Sequence, residues 1–234
     1  MKVIILAGGL GTRIAEESDF IPKPMILIGN KPILWHIIKY FSSFGFKDFI
    51  ICSGYKGQMI KDFIEKEKIS DCKIQVIFTG EKSNTGKRLK KIKYLIKGKF
   101  FLTYGDGLSN VNLKKVVKLH NSNNAVATLT AAKPPARFGR IILKANKVIN
   151  FFEKKDNTDE WVNGGFMVCE EKIFDYLKGK KDPIFEKDVL EKLSKKKLLL
   201  AYKHKSFWHP MDTIKDKRTL NTLWKKKLAP WKNW

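Results

Sequence analysis

Apolar residues form two kinds of pattern along the chain, and the patterns predict its elements. Apolar positions spaced three or four apart predict a helix over residues 33–44, and Gly45 supplies its end signal. Short, mostly apolar runs predict buried β-strands at residues 3–7, 48–52, 74–78, 100–103, 125–132 and 198–203. Because strands and helices alternate, the chain is predicted to form an α/β fold with a doubly wound, mostly parallel sheet. Ligands of such a sheet bind at the carboxyl ends of its strands.

The remaining patterns are weaker but complete the outline. Further helices are predicted over residues 57–66, up to residue 97, and over 113–120, 172–177, 186–195 and 214–227. Residues 141–143 and 148–152 predict a hairpin. Residues 161–168 are strand-like but contain Gly164 and Gly165, and glycine within a strand commonly marks the close approach of a ligand or another backbone. With 234 residues, of which 43% are apolar, we expect one single domain over residues 1–234.

The net charge of +24 is the one global property that suggests nucleic acid as a partner. Only five of the 47 basic residues are arginines, however, and nucleic-acid surfaces favour arginine for bidentate and stacked contacts. The lysines are spread over every predicted helix, as on solvated faces. We therefore expect no nucleic-acid partner and keep a basic nucleic-acid-binding protein as the remote alternative.

The location of the protein is predicted from its apolar runs and cysteines. No run of about 18 apolar residues is present, so we expect no membrane span, and the first strand lacks a signal-peptide cleavage pattern. Cys52, Cys72 and Cys169 are widely spaced and odd in number, which is typical of reduced core thiols. A cytoplasmic protein is predicted.

A glycine-rich segment follows the first strand and carries the main candidate chemistry. Gly8, Gly9 and Gly11 allow backbone N–H groups to approach an anion, and Arg13 and Lys23 add two cations. The segment is neither a Walker A loop nor a dinucleotide fingerprint, because the required Lys-Ser/Thr and third glycine are missing. A glycine hairpin without a ligand would leave both cations unexplained, so a polyphosphate site is predicted.

Two acids and a Thr-Gly pair are further candidates, each with a structural alternative. Asp106 lies between two glycines after a predicted strand, where a carboxylate suits Mg²⁺ on a triphosphate, although Gly-Asp-Gly is also a common turn. Asp212 precedes a predicted helix, and either Asp212 or Thr213 could be its cap. Thr85 and Gly86 begin a helix that suits nucleotide recognition, or they form an ordinary N-terminal turn.

The motifs together resemble those of the sugar-nucleotide pyrophosphorylase (nucleotidylyltransferase) family over nearly the whole chain. The segments GGLGTR, PKPM, TYGDG, NGGF, FWHPMDT and APWKNW are most similar to the glucose-1-phosphate cytidylyltransferase branch. The resemblance implies a three-layer, Rossmann-like nucleotidyltransferase fold with a small β-hairpin extension, and a homo-oligomer. It also implies an enzyme that joins a nucleotidyl group from CTP to a sugar 1-phosphate, with glucose 1-phosphate the expected acceptor, and releases pyrophosphate.

The resemblance also implies roles for individual residues. The catalytic set is Arg13, Lys23, Asp106 and Lys154, and Asp106 and Asp212 are the implied ligands of Mg²⁺. The sugar phosphate is implied to contact Glu153, Lys154, Asn163 and Gly164. The implied nucleotide contacts are Leu6, Gly8, Gly9, Gly11, Thr12, Arg13, Lys23, Thr85, Gly86, Arg88, Tyr104 and Gly105.

Two departures from the family pattern keep alternatives open. Lys155 replaces the usual proline after Glu153 and Lys154, and the chain is shorter than the branch between Lys61 and Thr79. The second departure concerns a segment associated with subunit contacts, so oligomer size and acceptor are open. The alternatives are an enzyme that uses another NTP or a non-glucose acceptor, and an inactive regulatory paralogue. The intact catalytic set argues against the paralogue.

Overall fold

A mixed β-sheet forms the centre of the computed structural model, which describes residues 1–14, 20–69, 71–135, 140–144, 146–152 and 160–234. The first half of the chain contains β1 (Val3–Ala7), β2 (Leu27–Ile28), β3 (Lys31–Pro32), α1 (Ile33–Ser43), β4 (Asp48–Ser53), α2 (Gly57–Glu67), β5 (Lys73–Phe78), α3 (Thr85–Ile92), β6 (Phe100–Tyr104), β7 (Gly107–Ser109) and α4 (Leu113–Asn121). The second half contains β8 (Ala127–Ala132), β9 (Arg140–Lys144), β10 (Lys147–Phe152), β11 (Val162–Asn163), β12 (Met167–Cys169), α5 (Glu191–Lys195), β13 (Leu199–His204), β14 (Trp208–Pro210) and α6 (Ile214–Lys225).

The order of the strands confirms the predicted doubly wound, mostly parallel sheet. Strands β6, β1, β4 and β5 are parallel neighbours, and β13 is parallel to β8. Strand β12 runs antiparallel between β6 and β8, and β11 pairs with the far end of β8. The predicted strand over residues 161–168 is therefore two short strands. They are separated at Gly165 and Phe166, whose φ angles are +74° and +44°.

Helices cover both faces of this sheet, so the fold has the three layers that were predicted. Along β1, Val3, Ile5 and Ala7 pack into one apolar core, and Ile4 and Leu6 pack into the other. Helices α1, α2, α4 and α6 contribute to the first core, and α3 and α5 contribute to the second. Because both faces are buried, the strand reads as a continuous apolar run. The α/β fold prediction is confirmed.

Several element boundaries and types differ from the prediction. The predicted helix over residues 186–195 begins as a π-helical turn, Glu186–Leu190, before α5, and Glu171–Leu177 is a 3-10 helix. The helix predicted to reach residue 97 ends at Ile92 and continues as a 3-10 turn, Lys93–Leu95. Strands β2, β3, β7 and β14 were not predicted, because two or three residues are too few to show a period. The predicted hairpin is present as β9 and β10.

No helix in the described ranges is long and apolar enough to cross a bilayer. The three cysteines are free thiols, and Cys52 and Cys169 are buried. Burial raises the pKa of the Cys52 thiol to about 12. Cys52 and Cys169 are therefore core residues, as predicted, whereas Cys72 is half-buried and packs against the first core.

Aromatic side chains of α1 pack against tryptophans from the C-terminal part of the chain. We call this group the indole cluster, and it contains His36, Trp35, Trp224, Trp231 and Trp234. Trp231 is fully buried, and its Nε1–H points to His36 Nδ1 at 3.3 Å. His36 Nε2 lies 2.9 Å from the Ile28 carbonyl oxygen, so the neutral ring donates there and accepts from Trp231. Burial lowers the pKa of His36 to about 4, against the effect of its backbone hydrogen bonds. Trp231 is therefore a core residue, and Trp224 and Trp234 are half-buried against the same core.

Candidate active site

The glycine-rich segment leaves the carboxyl end of β1, and a buried arginine holds it there. The Arg88 guanidinium, on α3, donates through Nη2 to the Gly8 carbonyl at 2.7 Å and through Nη1 to the Ser53 carbonyl at 3.1 Å. It also donates to Thr79 Oγ1 at 2.8 Å. Burial lowers the pKa of Arg88, and the nearby Cys52 acts in the opposite direction. Arg88 therefore fixes the first turn of the segment against the ends of β4 and β5.

The same packing explains why residue 8 is glycine. A Cβ atom on Gly8 would lie 2.0 Å from Arg88 Nη1, so a side chain there would displace the guanidinium. A Cβ atom on Gly54 would lie 2.5 Å from the Gly8 carbonyl oxygen. The sequence pattern predicted close approach of an anion at Gly8. In the structure, Gly8 also makes room for the arginine that shapes the loop.

A cavity of about 350 Å³ opens between this loop, α3 and the end of β6. Ten of the twelve predicted nucleotide contacts line it. Gly86 is buried behind the wall, where its Cβ would lie 2.8 Å from the Pro183 carbonyl oxygen, and the Arg13 side chain lies outside the described part of the chain. The lining residues are Leu6, Ala7, Gly8, Gly9, Gly11, Thr12, Lys23, Pro24, Ser83, Asn84, Thr85, Arg88, Tyr104, Gly105 and Asp106.

Lys23, Asp106 and Asp212 meet at one side of the cavity and form what we call the charged cluster. Lys23 Nζ lies 2.7 Å from Asp106 Oδ2 and 2.7 Å from Asp212 Oδ1. Lys23 is 7% exposed and Asp212 is 7% exposed, whereas the Asp106 side chain is 30% exposed. Asp106 lies in the turn between β6 and β7, and its carbonyl accepts from Met211 N at 2.8 Å. The pairing of β7 with β14 therefore brings the two acids together.

The open question of the α6 cap is resolved by the contacts of Thr213. Thr213 Oγ1 accepts from Asp216 N at 3.2 Å, and Asp216 Oδ2 accepts from Thr213 N at 2.9 Å, which completes a capping box. The same Asp216 oxygen accepts from Asp212 N at 3.0 Å. Thr213 is thus the cap, and the Asp212 carboxylate is directed toward Lys23 instead.

The donor set of the charged cluster fits a hard divalent cation. Two carboxylates converge on a single positive charge, and carboxylate oxygens are the ligands that Mg²⁺ prefers. Within the described residues, no group of three or more His, Cys, Asp or Glu side chains is placed to hold a metal. A site with one or two carboxylates is typical of Mg²⁺ that is bound together with substrate phosphates.

Of the predicted sugar contacts, Asn163 lies beside Tyr104, which lines the cavity, and Gly164 packs against Thr130 and Trp208. Asn163 Nδ2 donates to the Tyr104 hydroxyl at 3.2 Å, and the Gly164 carbonyl accepts from Trp208 Nε1 at 2.8 Å. A Cβ atom on Gly164 would lie 3.0 Å from the Thr130 carbonyl oxygen, so the backbones pack closely here. Glu153 and Lys154 lie outside the described residues, so their placement stays a prediction.

Glu186, which the sequence did not single out, contacts two residues of the cavity wall. Its carboxylate accepts from the Tyr104 hydroxyl at 2.6 Å and from Thr85 Oγ1 at 2.7 Å. Burial raises the pKa of Tyr104, and the Glu186 charge adds to the effect. A single glutamate in a charged, predicted helix belongs to no motif, so the sequence offers no signal for it.

Comparisons with known proteins identify the family of the chain. The sequence model of the family described as Nucleotidyl transferase matches residues 2–224. The chain is 40% identical to the glucose-1-phosphate cytidylyltransferase of Salmonella typhimurium over 257 aligned residues, which cover 100% of each chain. It is 36% identical over 255 residues, again 100% of each chain, to a Bacillus subtilis protein described as a probable glucose-1-phosphate cytidylyltransferase.

A solved structure supports the same assignment. HddC from Yersinia pseudotuberculosis, complexed with GMP-PN, superposes with a TM-score of 0.75 at 26% identity and covers 95% of this chain and 99% of its own. The protein therefore belongs to the nucleotidyl transferase family, as the resemblance to sugar-nucleotide pyrophosphorylases predicted. The chain is an enzyme of this class, and the prediction of nucleotidyltransferase activity is confirmed at that level.

Proposed function

We propose that the enzyme transfers CMP from CTP to glucose 1-phosphate and releases pyrophosphate. The observation that carries the proposal is the charged cluster, because Lys23 and Asp106 line the same cavity as the glycine-rich loop and Asp212 pairs with Lys23. The names of the two relatives with full coverage support CTP as donor and glucose 1-phosphate as acceptor. The rival within the class is the same reaction with another NTP or with a non-glucose acceptor.

The reaction needs no nucleophile from the protein, because the acceptor is already an ionised phosphate. One of its oxygens attacks the α-phosphorus of the nucleotide in line. A new P–O bond forms while the bond to the β-phosphate oxygen breaks, and pyrophosphate leaves with the electron pair. The contribution of the protein is therefore alignment of the two substrates and placement of charge where it develops.

The glycine-rich loop and the two cations are proposed to hold the leaving group. Gly9 and Gly11 line the cavity and offer backbone amides, and Arg13 adds a cation near the loop. Lys23 lies in the same cavity wall, with its ammonium next to the place where we expect the phosphates. Each pre-organised donor of this kind contributes about 2–4 kcal/mol to transition-state stabilisation.

The two carboxylates of the charged cluster are proposed to serve the metal. Asp106 and Asp212 would hold Mg²⁺, which when bound neutralises triphosphate charge and acts as a Lewis acid on a phosphoryl oxygen. Lys23 keeps these carboxylates paired. On the acceptor side, Lys154 is proposed to orient the attacking phosphate. Glu153, Asn163 and Gly164 are proposed to bind the sugar.

Location and assembly are proposed on narrower grounds. A cytoplasmic location is supported by the three free thiols, which suit a reducing compartment. A homo-oligomer is proposed from the family resemblance, and light scattering coupled to size exclusion tests it. A mass of 27.1 kDa for the eluted species would contradict the oligomer.

A grid of donors and acceptors tests the proposed reaction. Purified protein is incubated with Mg²⁺, one nucleotide donor and one acceptor, and pyrophosphate release is measured. The donors are the four NTPs and dTTP, and the acceptors are the 1-phosphates of glucose, mannose and heptose. We expect the highest kcat/KM with CTP and glucose 1-phosphate. A higher value with another pair would establish the rival, and no release with any pair would overturn the proposed reaction.

Two variants connect this activity to the site. Asp106→Asn should lose most turnover while the far-UV circular dichroism stays unchanged. The matched control is Asp175→Asn, because Asp175 is exposed and its carboxylate pairs with Lys178, three residues further along the chain. A nucleic-acid-binding protein would instead show steep salt dependence of binding to DNA or RNA and no response to Asp106→Asn.

A further inference from the structure

We propose that Glu186 is a positioning residue that couples the nucleotide side of the active site to its sugar side. The inference rests on the proposed function, since it assigns a role within that reaction. Glu186 is not part of the cavity wall. It acts through Thr85 and Tyr104, which are in that wall.

The carboxylate contacts these two wall residues with separate oxygens. Glu186 Oε2 accepts from Thr85 Oγ1 at 2.7 Å, and Oε1 accepts from the Tyr104 hydroxyl at 2.6 Å. Thr85 begins α3, whereas Tyr104 ends β6, two residues before Asp106. One carboxylate therefore joins two walls of the cavity that come from different parts of the chain.

An ionised carboxylate only accepts hydrogen bonds, so it fixes the direction of the bonds beyond it. With its hydrogen directed to Glu186, the Tyr104 oxygen accepts from Asn163 Nδ2 at 3.2 Å. The side-chain oxygen of Asn163, Oδ1, accepts from Gly165 N at 3.0 Å. This sequence of bonds sets the orientation of the Asn163 amide. We expect the second Nδ2 hydrogen to donate to a sugar hydroxyl.

The backbone preceding Glu186 is hydrogen-bonded to the first turn of α3, on the nucleotide side of the cavity. Phe185 N donates to Thr85 Oγ1 at 2.9 Å, and Lys87 N donates to the Pro183 carbonyl at 3.1 Å. Glu186 then opens the π-helical turn, in which Glu191 N donates to the Glu186 carbonyl. Such turns are rare and occur frequently at functional sites. The turn therefore presents the carboxylate from a segment that is anchored to α3.

The substitution Glu186→Gln keeps the shape of the side chain and tests its acceptor chemistry. The amide NH2 would face a hydroxyl donor, so either Thr85 or Tyr104 must turn its hydrogen away. If Tyr104 turns, its hydroxyl no longer accepts in the same way from Asn163. We expect the KM for CTP and the KM for glucose 1-phosphate to rise about tenfold each, the scale of one lost hydrogen bond to a charged group.

Tyr104→Phe separates this coupling from a merely structural role. In the Tyr104→Phe background the relay to Asn163 is already absent. Glu186→Gln should then leave the KM for glucose 1-phosphate within about twofold while still raising the KM for CTP, because only the Thr85 contact is lost. The matched control Glu191→Gln changes an exposed acid on the adjoining helix and should leave both KM values unchanged.

The experiment measures kcat and both KM values for the wild type, the three single variants and the double variant, with thermal unfolding of each. Two results would overturn the coupling role. One is a fall in kcat with unchanged KM values, which indicates a smaller folded fraction. The other is a multiplicative effect of Glu186→Gln and Tyr104→Phe on the KM for glucose 1-phosphate. A wild type without pyrophosphate release would instead contradict the proposed function, so the two failures are distinct.

Discussion

The charged cluster and the indole cluster bury polar groups in opposite ways. In the charged cluster, the Lys23 ammonium is compensated by the Asp106 and Asp212 carboxylates. In the indole cluster, His36 is held neutral among aromatic rings, and burial lowers its pKa to about 4. Burying an ion is costly unless it is paired, whereas a neutral ring needs only its hydrogen bonds. The first cluster can therefore exchange partners with incoming charges, and the second is suited only to hold the structure.

Helix α6 connects the two clusters. Its first turn follows Asp212, and near its last turn Trp224 packs against His36 with ring centroids 4.6 Å apart. The C-terminal segment beyond α6 then adds Trp231. Substitutions near the start of α6 should therefore affect mainly catalysis, and substitutions near its end should affect mainly stability.

The largest effect is expected for Lys23→Met, which removes the cation from between two carboxylates. We expect turnover to fall about 10³-fold, the scale of a pre-organised donor, and the free energy of unfolding to fall by about 3 kcal/mol. Steady-state kinetics and denaturant titration measure the two losses. Mg²⁺ alone should raise the Tm of this variant more than that of the wild type. An equal shift in both proteins would contradict the proposed metal ligands.

Trp231→Ala tests the indole cluster without touching the cavity. The fully buried indole leaves a large void, and such truncations cost about 3–5 kcal/mol in the free energy of unfolding. At a temperature where the variant is folded, we expect KM and kcat to stay close to the wild-type values. A loss of turnover as large as that of Lys23→Met would show that the two clusters are not separable.

Lowering the pH should reduce the free energy of unfolding, because His36 in the indole cluster is neutral in the native state. The native ring stays neutral down to about pH 4, whereas an unfolded histidine takes up a proton below about pH 6.5. The unfolded state therefore binds more protons in this window, and stability is lost as the pH falls through it. The expected loss is about 3 kcal/mol by pH 4.

Denaturant titrations at several pH values from 7 to 4 measure this loss, with His36→Gln as the comparison. Carboxylates also titrate in this range, so the informative quantity is the difference between the two pH profiles. The variant should lose less stability than the wild type on acidification. Identical profiles would contradict the assigned neutral form of His36.

Thr213→Ala should have the smallest effect, at the end of α6 next to the charged cluster. The variant loses the cap hydroxyl, which costs about 1 kcal/mol in the free energy of unfolding. Thr213→Ser keeps the hydroxyl and serves as the control, and chemical denaturation compares the two. Equal stability of both variants would show that the capping box does not stabilise α6.

Local pattern predicted the parts of the molecule whose causes are local. Strand β1 is buried on both faces and therefore shows a continuous apolar run, and α1 shows one apolar stripe and a terminal glycine. The turn that carries Asp106 was also visible, because it follows a strand directly. These features made the α/β class and the ligand-binding edge predictable from the sequence.

Contacts between distant residues were not predictable in the same way. Lys23 was expected on phosphates, and nothing in its own segment shows that it also pairs with Asp106 and Asp212. Arg88 was predicted as a nucleotide contact, but its bonds to the Gly8 and Ser53 carbonyls depend on how three strand ends meet. Glu186 lies in a helix-like pattern that hides its π-helical turn. Motifs identified the residues, and tertiary packing determined their partners.

The pairing of Lys23 with Asp212 also has a consequence for biosynthesis. The two residues are 189 positions apart in the chain. At typical ribosome speeds, about 10–40 s separate their synthesis. During that interval a nascent chain carries the glycine-rich loop without one of the acids that complete the charged cluster. Nucleotide binding should therefore be acquired late in translation, and a stalled nascent chain that ends before Asp212 should lack it.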